Sequence, residues 1–132
     1  MTEELPYRHD PEEPEDAPSS PIVEIVLRHK NKQFKCLAVL DTGTAYSTIT
    51  EAARQALGPR KSGDRPVIGA TEDDGDEYPL YKIDELYFGG RAYSQIELTH
   101  LQTSTRIMLI GRDILNDHEI LLDGPQEKLT LG

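Results

Sequence analysis

Leu37 to Thr44 reads LAVLDTGT, an apolar run that ends on a carboxylate followed at once by a hydroxyl and a glycine. A buried strand that delivers an Asp into a turn presents an acid from a rigid support, and glycine lets main chain pass close to that acid. Asp41 is therefore the candidate catalytic residue. The tripeptide alone is a weak signal, since three common residues in a row arise by accident in roughly a few per cent of chains this long.

A second stretch adds weight. Ile107 to Leu115 reads IMLIGRDIL, four apolar residues running into Gly111 and then a helix-like continuation. With both motifs in this order, the chain resembles the retropepsin-like (clan AA, retroviral-type) single-domain aspartic proteases of bacterial type. These carry D-T/S-G on one strand and a hydrophobic-hydrophobic-Gly turn further along. The resemblance spans about residues 22 to 131. It implies an all-β fold, a closed or partly open β-barrel of the retroviral-protease type with one or two short helices.

Composition sets the outer bounds. A chain of 132 residues suits one small domain with one core. With 36% apolar residues and no tryptophan that core is modest, which favours stabilisation by association. The formal charge is −10, a balance that gives nucleic acid no attraction. Residues 1–20 are rich in proline and acid and offer almost nothing to bury, so they are expected to form a disordered tail ahead of a folded domain at 21–132. The alternative for the tail is a removable pro-segment lying across the site. Cys36 is the single cysteine, which excludes an internal disulfide and any multi-cysteine metal site. Neither a metal nor a cofactor is expected. No apolar run reaches the roughly 18 residues of a membrane helix, and the acidic start MTEELPYRHD is unlike a signal peptide. A cytoplasmic protein without a membrane partner is the expectation.

Taken in order, Ile22–Leu27 and Gln33–Leu40 are β-rich runs joined by a polar turn, a hairpin whose second strand ends at Asp41. Glu51–Leu57 is a two-turn helix with Thr50 as N-cap and Gly58-Pro59 as its stop. Arg60 to Arg65 reads as a polar loop. Pro66–Thr71 and Tyr78–Phe88 flank the acidic tip Glu72–Glu77, in which Gly75 supplies the turn. Further strands are expected after Gly89-Gly90, at Ile107, at Glu119–Leu122 and at Lys128–Leu131, with a short helix from about Arg112 to Asn116. Many short strands with little helix indicate an all-β domain.

Aspartic chemistry needs one carboxylate to activate water and one carboxylic acid to protonate the carbonyl oxygen. Two such groups about 3 Å apart cannot both ionise, so they share a proton. This sequence holds one Asp-Thr-Gly, and two copies around a twofold axis would supply the pair. An obligate homodimer acting on extended polypeptide is thus expected. By the resemblance, Thr42 would reach across the axis to the partner's backbone, Gly43 would offer its N–H to the carboxylate, and Gly111 would close the turn beneath the catalytic loop. A Thr44 hydroxyl bonded to the carboxylate would favour ionisation. Val67, Ile68, Gly69 and Ala70 fall where the family's flap lies and, with Ile110, are the candidate substrate-binding residues. Relatives often pair the residue matching Arg112 with an acid at the position held here by Ala45. Arg112 is therefore expected to pair with Asp113, Asp117 or Asp123, or to be solvated. An endopeptidase of retropepsin type is the leading reading. A catalytically silent protease-like module for dimerisation or peptide binding is the alternative.

Overall fold

The frame of the computed structural model is one long hairpin, and the structure describes residues 2–66, 77–101 and 107–132. Strands β2 (Ile22–His29) and β3 (Lys32–Leu40) pair antiparallel from Ile22↔Val39 to His29↔Lys32. Lys30 adopts φ 56° to make the turn, and its N–H donates to Asp84 Oδ2 at 2.6 Å. Strand alternation sends Ile25 and Leu27 into the core and leaves Glu24 and Arg28 in solvent. Strand β7 (Met108–Ile110) lies parallel to β3 with Leu40 opposite Ile110. That pairing sets the ends of the two sequence motifs side by side.

Strand β5 (Glu77–Phe88) is the other organising element. Strand β6 (Arg91–Thr99) follows it through Gly89-Gly90, both at positive φ, and pairs along one edge. The opposite edge is shared, with β4 (Lys61–Pro66) at its start and β2 at its end. The larger sheet thus runs β4-β5-β2-β3-β7, with β6 on β5. A smaller sheet runs β1 (Glu3–Pro6), β9 (Lys128–Leu131), β8 (Ile120–Asp123). The fold is all-β with two short helices, and its sheets stay open rather than closing into a barrel.

Helix α1 (Glu51–Leu57) follows its sequence signals. The Thr50 side chain accepts from Ala53 N–H at 3.2 Å, and Gly58 at φ 65° closes the C-terminus by donating to Arg54 O. Ala53 and Leu57 bury its inner face. Helix α2 (Arg112–Leu115) is a single turn with Ile114 and Leu115 buried.

Two segments differ from expectation. Residues 3–6 are not a disordered tail: they pair with β9 in register Glu3↔Leu131 to Pro6↔Lys128, and Arg8 and Ser20 exchange backbone hydrogen bonds. A free edge on β9, with Leu5 and Tyr7 packing on the core, supplies contacts that a count of charges misses. Arg60 to Arg65, expected as a polar loop, instead supplies most of β4 (Lys61–Pro66), recruited by the open edge of β5 with a register shift between Lys61 and Gly63. The expected flap residues Val67, Ile68, Gly69 and Ala70 lie outside the described residues.

Candidate active site

Asp41 leaves β3 with its N–H donating to Ile110 O at 3.0 Å, so the parallel pairing continues one step into the loop. Gly43 N–H turns back onto Asp41 Oδ1 at 2.9 Å. A Cβ on Gly43 would sit 3.1 Å from that oxygen, so glycine is what leaves the carboxylate room. The Asp41 side chain is partly exposed on this loop, not sealed in the core.

The loop is fixed along its length by the second motif. Thr44 O accepts from Arg112 N–H at 3.0 Å and Ala45 O from Asp113 N–H at 3.1 Å. Ser47, fully buried, donates from its N–H and its hydroxyl to the Asp113 carboxylate, while its hydroxyl accepts from Gly111 N–H at 3.0 Å. Thr48 N–H donates to Leu109 O at 3.0 Å, and Leu109 N–H donates to Thr48 Oγ1 at 2.9 Å. Gly111 lies so close under this loop that a Cβ would meet Thr44 Cγ2 at 2.8 Å, Thr44 O at 2.9 Å and Tyr46 C at 2.9 Å. Its φ of −96° is open to any residue, so space and not torsion demands glycine.

Two cavities flank the loop. One of about 220 Å3 is lined by Thr44, Ala45, Tyr46, Pro66 and Thr99, with Thr48 and Leu101 shared with the second. The second, of about 200 Å3, is mostly apolar: Val39, Ile49, Ile107 and Leu109 line it, together with Asp10 and Glu12 from the N-terminal segment. Beyond α2, the Tyr93 hydroxyl donates to Asp117 Oδ2 at 3.1 Å and lies 2.9 Å from His118 Nε2. Burial, with Asp117 adding to it, pushes Tyr93 up to about 12, so it stays a phenol. It braces the helix.

A backbone comparison places this arrangement among solved structures. A retropepsin-like aspartic protease from Rickettsia conorii superposes with a TM-score of 0.63 at 17% identity, over 99% of this chain and 91% of that one. A foamy viral protease-reverse transcriptase, solved with an RNA/DNA hybrid, superposes with a TM-score of 0.50 at 14% identity, over 75% of this chain and 12% of that one. The fold is retropepsin-like. No family model matches the sequence, and no curated protein matches it.

Within this retropepsin-like fold, Asp41, Thr42, Gly43, Thr44 and Gly111 lie in one loop-and-turn unit. Thr44 takes part through its main chain, and among the described residues no hydrogen bond joins its hydroxyl to the Asp41 carboxylate. Ile110 is fully buried, contrary to its expected place against substrate. Strand alternation turns Leu109 instead toward the apolar cavity. Arg112 makes no ion pair with an acid among the described residues; its Nη1 donates to Thr42 O at 2.7 Å. With Ala45 offering no carboxylate, the guanidinium holds the loop by a main-chain carbonyl. Sequence offers Asp113 only as a partner for Arg112 and says nothing of Ser47, yet the two bond to each other.

Burial pushes the Cys36 thiol up to about 12, with Glu24 contributing, which makes it an unreactive part of the strand. The described residues contain no group of three metal-ligating side chains. No described helix is long and apolar enough to cross a membrane.

Proposed function

We propose that this chain is an aspartic endopeptidase of retropepsin type that works as a homodimer, each copy contributing Asp41 to a single site on the twofold axis. The observation that carries the reading is the Asp41 loop itself: a partly exposed carboxylate, gripped by Gly43 N–H and fixed by main-chain bonds to the Gly111 turn, within a retropepsin-like fold. Such fixation suits a group that must meet its twin at a set distance, because catalysis by paired acids depends on positioning.

In this mechanism the two Asp41 side chains share one proton. The ionised member takes a proton from water as the water attacks the scissile carbonyl, and the protonated member gives its proton to the carbonyl oxygen. Thr42 would brace the pair across the axis. The substrate lies extended, adding strand-like hydrogen bonds while the flanking cavities take side chains. Val67, Ile68, Gly69 and Ala70 are proposed as the flap that excludes water. A cytoplasmic setting belongs to the same proposal.

The competing reading is a silent module that binds peptide or dimerises. Digestion of a peptide library separates the two. Cleavage by the wild type, lost by at least about a thousandfold in Asp41→Asn, with a solution mass of two subunits, is the expected result. Full cleavage by a species with the mass of one subunit would defeat the dimer mechanism. Peptide binding without any cleavage would favour the module.

A further inference from the structure

Strand β4 ends at Arg65-Pro66, against the stretch that follows the Asp41 loop. The Arg65 guanidinium carbon lies over the Tyr46 ring, 3.6 Å from its centroid, well inside the range of a cation–π contact. Its Nη1 is 3.5 Å from Thr99 Oγ1, a long contact at the limit of hydrogen bonding. Tyr46 and Thr99 both line the 220 Å3 cavity beside the Asp41 loop. Tyr46 and Arg65 also line a neighbouring cavity of about 300 Å3. Arg65 thus lines the larger space and stacks on the tyrosine that lines both.

Among the described residues, Arg65 has no carboxylate partner. Two acids, Glu97 and Asp113, share the larger cavity, but Glu97 accepts the Ser62 hydroxyl at 2.9 Å and Asp113 is held by Ser47. In a chain of formal charge −10, a half-buried cation that meets no acid among the described residues stands out. Stacking uses the face of the guanidinium and not its edge of N–H donors, one of which meets Thr99 Oγ1 at long range, and that planar edge fits a carboxylate in bidentate fashion.

We infer that Arg65, pre-oriented by Tyr46, is a specificity-determining residue that receives the carboxylate of an Asp or Glu side chain of a polypeptide bound beside the Asp41 loop. The inference deepens the peptidase reading and rests on it for the identity of the ligand. A lysine would supply the charge without the planar fork, so chemistry at this place favours arginine over a general cation.

Two measurements keep the inference and the peptidase reading apart. The first is cleavage of peptides carrying Glu, Gln, Leu or Lys at each position in turn, by wild type, Arg65→Lys and Arg65→Met. Wild type is expected to prefer Glu over Gln by about tenfold in kcat/KM at one position, a preference that added salt shrinks. Arg65→Met, whose side chain keeps the contact with the ring, should lose the preference, and Arg65→Lys should retain part of it. The second is binding of the same peptides to Asp41→Asn and to Asp41→Asn/Arg65→Met, which reads discrimination without turnover. Equal handling of Glu and Gln by wild type, or a preference that survives Arg65→Met, overturns the inference. A Glu preference in binding with no cleavage by wild type leaves Arg65 its role and removes the peptidase.

Discussion

Two joints hold this molecule's working parts, and they are built differently. The joint between the Asp41 loop and the Gly111 turn is made mostly of main-chain groups, with the buried Ser47 hydroxyl and the Asp113 carboxylate, and Gly111 is pressed against backbone. The joint between α1 and the end of β6 is made of ionisable side chains. There His100 Nε2 lies 2.9 Å from Glu51 Oε2, Glu51 is also bonded by Arg54, and Tyr81 packs edge-on to the His100 ring. Main-chain bonds hold no titratable group, whereas side-chain ion pairs change with pH. The fixed joint carries the carboxylate proposed for chemistry, and the adjustable one supports residues next to a cavity wall.

The largest effect should come from filling the space under the loop. In Gly111→Ala the new Cβ meets backbone atoms of Thr44 and Tyr46 near 2.9 Å, and backbone cannot swing aside as a side-chain tip can. A loss of about 3 kcal/mol in unfolding free energy is expected, together with loss of proteolysis, measured by denaturant titration and peptide cleavage. A variant as stable as wild type would show that the loop is not pinned here.

A smaller effect is expected at Asp113. Removing its carboxylate in Asp113→Ala leaves the N–H and hydroxyl of fully buried Ser47 short of an acceptor. That should cost about 2 kcal/mol, and Asp113→Asn, which keeps one acceptor oxygen, about half as much. If Ala and Asn proved equal and harmless, water would have to replace the carboxylate, and the joint would be looser than its geometry implies.

The same contrast explains what the sequence discloses. The β2–β3 hairpin, α1 with Thr50 and Gly58, and the Gly89-Gly90 turn are legible because their causes are local: alternation, a cap, a glycine at positive φ. Segments β1 and β4 are not, since EELP and KSGDRP carry little strand preference and pair because β9 and β5 present open edges. At the site, Asp41, Gly43 and Gly111 are readable from their motifs. The partner of Arg112 is not, because the Thr42 carbonyl that it reaches has no signature in sequence. Nor can the phase of IMLI be read, since four apolar residues in a row give no alternation to show that Ile110 faces the core and Leu109 the cavity.

The smallest effect tests the adjustable joint. Burial holds His100 below the ordinary histidine value, the Glu51 carboxylate working against that and Arg54 with it. His118 is lowered for the same leading reason. The unfolded chain therefore takes up protons near the ordinary value of about 6.5, before the folded chain does. Stability from these groups is full above that pH and declines as pH falls toward the lowered folded values. Between about pH 7.5 and 5.5, wild type should lose roughly 2–4 °C in Tm, and His100→Gln should lose less, with His118 accounting for what remains. Glu51, held low by the Arg54 hydrogen bond, titrates further into acid and does not enter this window. A Tm that rises on acidification would mean that the attraction of Glu51 outweighs burial at His100, and the α1–β6 joint would then tighten in acid.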